Sequence, residues 1–100
     1  MEKEELSIKK LLWLENRRKE LIKLPVGRLS ALAKLADNKQ DFYDLVTIRM
    51  WKIVESALLK PILDIEITCK LTKEERILYR TLCHIFSDYL NLINKIASKE

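Results

Sequence analysis

The sequence holds one glycine, two prolines, two cysteines and one histidine in 100 residues, and each shortage excludes something. A β-rich fold needs many turn residues, so the scarcity of glycine and proline points to a chain that is nearly all helix. The sole glycine, Gly27, excludes every glycine-rich phosphate loop. Cys69, Cys83 and His84 fall short of a zinc site or a disulfide framework. The two cysteines read instead as reduced, structural thiols of an intracellular, cytoplasmic protein. Apolar runs extend only a few residues, far from the roughly 20 that span a bilayer. The charged opening residues do not read as a secretory signal.

What the chain does contain is apolar and charged residues, 48% and 34% respectively, which argues against disorder. Lys and Arg outnumber Asp and Glu by 19 to 15, for a net charge of +4. That mild basic balance is compatible with nucleic acid nearby without requiring it. The length fits one domain, whose core would bury roughly two-thirds of the unfolded surface.

Residues 71–97 give the clearest helix. Thr72 followed by Glu75 makes a capping box, and Glu74 and Glu75 place negative charge in the first turn. Leu78, Leu82, Ile85, Phe86, Tyr89, Ile93 and Ile96 then recur at helical spacing. A stripe of about seven turns must be buried, on this chain or on another.

Upstream, residues 3–23 read as a long first helix, with an apolar knot at Leu11, Leu12, Trp13 and Leu14. Pro25-Val26-Gly27 breaks it, and a short second helix follows at 28–36. After a polar turn at 37–40, with Asn38 or Asp41 as cap, a third helix runs over 41–60. Its apolar stripes are Phe42, Val46, Met50, Ile53 and Ala57, and then Tyr43, Trp51, Val54 and Leu58. Such a broad apolar surface suits the centre of a bundle. Residues 61–70 read as an extended connector, since Ile65, Ile67 and Thr68 are β-branched, with a helix continued past Pro61 as the alternative. The expected fold is an all-α, four-helix bundle-like domain spanning 1–100: a long first helix, a short second, and two further long ones.

No catalytic constellation emerges, and the chain is expected not to be an enzyme or to carry a cofactor. Adjacent Cys83 and His84 diverge on a helix, and read as a buried cysteine beside a surface histidine. Glu74 and Glu75 are better explained by the helix start than as paired acids. Arg17-Arg18-Lys19, with Lys9, Lys10 and Lys23, is the one basic cluster, and could touch phosphates. Glu15 and Glu20 interrupt it, which favours a solvated helix face. Trp13 and Trp51 are stacking platforms in one reading and core or interface anchors in the other, and the second is the commoner role on helices with apolar neighbours.

Three stretches together carry a resemblance: LLWLENRRKELIKLP at 11–25, RMWKIVESAL at 49–58 and LTKEERILY at 71–79. Their order resembles the helical domain of GINS subunits, in the archaeal branch where that domain precedes a small β domain. The Leu24-Pro25 break and the LTKEERILY start are the most specific parts. Two departures stand out. Val26-Gly27-Arg28-Leu29 occupies the place of the family's Asp-Phe-Tyr-like element, and Asp41-Phe42-Tyr43 occurs later. The small β domain is absent, so the chain is expected to be either an excised helical domain or a member lacking it.

The resemblance implies a non-catalytic scaffold of the replicative helicase assembly in DNA replication. Such a subunit bridges the MCM helicase and a RecJ-like partner and packs with other GINS subunits. On the residues, the expected protein interface is Leu11, Leu12, Trp13, Arg17, Arg18, Leu90 and Ile93, on the first and last helices. Direct DNA contact is left open. A small basic nucleic-acid-binding protein and an unrelated helical interaction module are the alternatives.

Overall fold

A computed structural model describes residues 7–99 and contains five helices: α1 (Ile8–Arg17), α2 (Leu29–Leu35), α3 (Lys39–Leu59), α4 (Ile65–Thr68) and α5 (Lys73–Ser98). There is no strand among the described residues, and the fold is an all-α bundle-like domain. α3 is central, packing on α1, α2 and α5. Lys9 bonds Asp41 and, further along both helices, Glu15 bonds Arg49, so α1 and α3 run in the same direction. Arg49 likewise meets Glu75 while Ile62, beyond the end of α3, meets the Tyr79 hydroxyl, so α5 runs parallel to α3 as well. Parallel neighbours need a return segment between them. Residues 18–28 and 60–72 supply the two returns.

The first return corrects the expected long first helix. α1 starts at Ser7, whose hydroxyl accepts from the Lys10 amide, and stops at Arg17, with Arg18 already extended. Residues 3–6 of the expectation lie outside the described residues. The physical reason lies in Leu21, Ile22 and Leu24. Leu21 packs with Ile53, Ala57, Leu71, Tyr79 and Cys83, while Ile22 and Leu24 pack with Ile8, Leu11, Leu32 and Leu45. Neighbouring residues that must enter different clusters need side chains pointing opposite ways, which an extended chain provides and a helix does not.

The second return is neither a plain connector nor a kinked helix. Lys60 and Asp64 are extended, and then Asp64 caps the four-residue α4 by accepting from the Glu66 amide at 2.9 Å. That cap overrides the β preference of Ile65 and Ile67. The Tyr79 hydroxyl fixes this segment, accepting from the Asp64 amide at 3.1 Å and donating to the Ile62 carbonyl at 3.4 Å. Burial, the larger influence, raises the pKa of this phenol and keeps it a donor.

The remaining ends are tied by local chemistry. Asn38 caps α3 through the Asp41 amide. Thr72 and Glu75 bond reciprocally at the start of α5: the Thr72 hydroxyl accepts from the Glu75 amide, and the Glu75 carboxylate accepts from the Thr72 amide. α2 has no capping side chain of its own, and Glu74 supplies one from α5 by accepting from the Leu29 amide at 2.9 Å. That bond, with the helix-start amide of Glu74 itself, holds the carboxyl below the usual carboxylate range. The contact is therefore present above the ordinary carboxylate pKa and is lost as pH falls through the lowered value.

The molecule is long. Its radius of gyration is 16.5 Å, against about 13 Å for a compact chain of this length. Its extents are 67 × 23 × 22 Å. At 1.5 Å per residue α5 spans about 39 Å, and from Asp88 to Lys99 every residue is exposed.

Candidate functional site

Between the two apolar clusters lies a charged layer. Arg49 is fully buried and spends all five of its N–H donors. Its Nε and one Nη grip Glu75 bidentately at 2.8 Å each. The other Nη donates to Glu15 at 2.8 Å and to the Ile22 carbonyl at 2.7 Å. The fifth donor meets the Lys70 carbonyl at 2.9 Å. Burial alone would lower the pKa of this guanidinium; Glu75 and then Glu15 outweigh it and hold it above its usual value.

Lys52 completes the layer. Its ammonium bonds the Glu15 carboxylate at 2.8 Å and the carbonyls of Glu15, Arg18 and Glu20 at 2.6, 2.8 and 3.1 Å. A cation thus sits on the orphan carbonyls that end α1. Two cations face two carboxylates, and among the described residues no buried side-chain polar atom lacks a partner. The layer joins α1, both returns, α3 and α5. It fixes their register and leaves no open valence for a ligand.

Sequence reasoning missed Arg49, Lys52 and the inward face of Glu15. A signal existed: Leu45, Arg49, Ile53 and Ala57 are spaced by four, and all four are buried. An arginine within an otherwise apolar line reads as a break in the stripe, so the first expected stripe meets the buried line at Ile53 and Ala57 and lies one position away before them. Of their members Met50, Tyr43, Trp51 and Leu58 are exposed.

The expected interface residues separate into three places. Leu11 is in the core, packed with Ile8 and Leu45, and offers no surface; Leu12 is half-buried against the same cluster. Trp13 is 55% exposed, with the Arg17 guanidinium 4.8 Å from its ring centre, and Arg18 is exposed next to them. Leu90 and Ile93 lie on the projecting half of α5, about 22–27 Å along the helix from Glu75, the residue level with Glu15. The structure does not bring the α1 and α5 groups together. Cys83 is buried, Cys69 and His84 are exposed, and burial pushes the Cys83 thiol up, with Tyr79 pulling it part of the way back.

The projecting half of α5 is the largest uncovered feature. Tyr89, Leu90, Leu92, Ile93 and Ile96 are all exposed there. Tyr79, Leu82, Phe86, Tyr89, Ile93 and Ile96 follow a three-four spacing, the seam of a helix that packs on other helices. The first members of that seam are covered by α3 and the second return; the last three are not. Leu58, Leu59, Ile62 and Leu63, where α3 ends, are exposed as well.

A polar cleft of about 380 Å³ lies beside the first return, where Lys19, Lys52 and Lys70 oppose Glu20, Glu55 and Glu66. Its charges cancel, so it selects no ion of either sign. Among the described residues no three of His, Cys, Asp and Glu gather as metal ligands would, and no helix is long and apolar enough to cross a membrane. In comparisons with family models, curated proteins and solved structures, nothing matches this chain.

Proposed function

We propose that this chain is a non-catalytic scaffold subunit, similar to the helical domain of GINS proteins, acting in the replicative helicase assembly. In this reading it packs with other GINS subunits and helps hold the MCM helicase and a RecJ-like partner together. The observation that carries the proposal is the projecting half of α5, with its seam of Tyr89, Ile93 and Ile96 open to water. Monomers rarely leave a contiguous apolar surface of this kind uncovered. A partner helix lying along the seam would bury it at the density of a protein interior.

Support for the family comes from the order of its sequence features in the fold. The Leu24-Pro25 break falls in the first return, and the LTKEERILY stretch opens α5 with its capping box.

Sedimentation tests the proposal. The chain at high micromolar concentration should sediment heavier than its 11.9 kDa monomer, alone or on addition of a GINS subunit. A clean monomer that forms no complex with any GINS subunit would refute it.

A further inference from the structure

The outward face of α1 carries a different chemistry. Residues 7–34 contain eight lysines and arginines and only two carboxylates, Glu15 and Glu20. Lys9 among them is paired with Asp41; with the three glutamates and one lysine of residues 1–6 counted in, residues 1–34 hold the chain's whole net charge of +4 and residues 35–100 are neutral. In the sequence two glutamates interrupt the basic run; in the fold Glu15 is withdrawn from it, while Glu20 stays exposed. Glu15 is fully buried and bonded to Arg49 and Lys52, and Glu20 lines the cleft beside Lys52 and Lys70. The carbonyls that end α1 are occupied by Lys52, so they add little negative field. What remains outside is Trp13 with Arg17 over its ring and Arg18 directly after.

We propose that Trp13, Arg17 and Arg18 form a binding site for single-stranded nucleic acid. The indole stacks on a base, and the two guanidiniums hold the flanking phosphates. Three observations select this ligand. The excess charge calls for a polyanion. An exposed ring beside guanidiniums is the combination that holds unpaired bases, because every base offers a π-face. A lipid surface would require a whole apolar helix face, whereas Trp13 is exposed alone: Ile8 and Leu11 are buried and Leu12 and Leu14 half-buried. An acidic peptide would satisfy the guanidiniums and leave the ring unused.

The test uses the full chain carrying Trp51→Phe, which leaves Trp13 as the single tryptophan. Short oligothymidylate and oligouridylate, polyglutamate and anionic phosphatidylserine vesicles are titrated separately at low salt, with Trp13 fluorescence as readout. At least one oligonucleotide should quench Trp13 and bind at least tenfold more tightly than polyglutamate or the vesicles. Its affinity should fall with salt at a logarithmic slope of about −1.4, the value for two single-strand phosphates.

Binding of labelled oligonucleotide to Trp13→Ala should be weaker by about tenfold or more, while Trp13→Phe keeps most of it. Arg17→Gln with Arg18→Gln should remove most of the salt slope. Circular dichroism should match wild type for all three. No oligonucleotide binding at low salt, equal binding of polyglutamate or vesicles, or an unchanged affinity in Trp13→Ala would overturn the proposal. In that case Arg17 over Trp13 is only a pair within the helix.

Discussion

The two halves of α5 make an instructive contrast. The first half carries a glutamate on its inner line and is packed: Glu75, Tyr79 and Cys83 are buried, and Leu78 and Leu82 half-buried. The second half carries an apolar seam and is wet throughout, from Asp88 to Lys99. Apolar content therefore does not mark where this chain has its own core. A charge is buried where three elements converge with partners for it, and an isoleucine stays exposed where none of the described elements covers it. We propose that a helix whose core-facing pattern outlasts its own core is shaped for a further packing neighbour.

The sharpest way to break the contrast is to damage the packed half at its charged layer. Arg49→Met should destabilise the fold by about 3–5 kcal/mol, because it leaves Glu75 buried without a cation and Glu15 with Lys52 alone. Urea unfolding measures this. Replacing Glu15, Arg49 and Glu75 together with apolar residues of similar size should cost less than Arg49→Met alone, because no buried carboxylate is stranded and Lys52 keeps its three carbonyls. A triple variant as weak as the single one would show that the layer contributes packing geometry rather than charge balance.

Lys52→Met should cost about 2 kcal/mol by the same measurement, since it strips an ammonium from one carboxylate and three carbonyls. Thr72→Ala should cost about 1 kcal/mol, the usual loss for an N-cap hydroxyl. An unchanged melting temperature would mean that the Glu75 amide finds another acceptor.

In the projecting half the expected change of stability is the smallest. Tyr89→Ser with Ile93→Ser should shift the unfolding free energy of the isolated chain by less than about 0.5 kcal/mol, as exposed substitutions do. The same pair should abolish association with a partner subunit in sedimentation. Loss of stability in the monomer would place these side chains in a core that the fold does not give them.

These expectations bear on how far the fold could be read from the sequence. The all-α class, the short α2, the capping box at Thr72 and the long last helix all follow from local signals within a few residues of one another. The stop of α1 at Arg17 does not, because it depends on Leu21 and Ile22 entering opposite clusters and on Lys52, 35 positions beyond Arg17 in sequence, gripping the last carbonyls. The charged layer was hidden for a related reason. Glu15, Arg49 and Glu75 each look like ordinary surface residues, and only their convergence makes them core. The apolar overhang, by contrast, was legible as surplus, since the stripe in α5 is longer than a small bundle can cover.

The central claim is that the projecting half of α5 is built to be covered by another chain. Amide hydrogen exchange tests it most directly, on the isolated protein and on its complex with a GINS subunit. In the isolated chain the amides around Arg49 and Tyr79 should exchange only with global unfolding, and those from Leu90 to Ala97 should exchange orders of magnitude faster. On assembly the Leu90 to Ala97 amides should become protected while the layer around Arg49 changes little. Unaltered exchange from Leu90 to Ala97 in a complex that has demonstrably formed would contradict the claim.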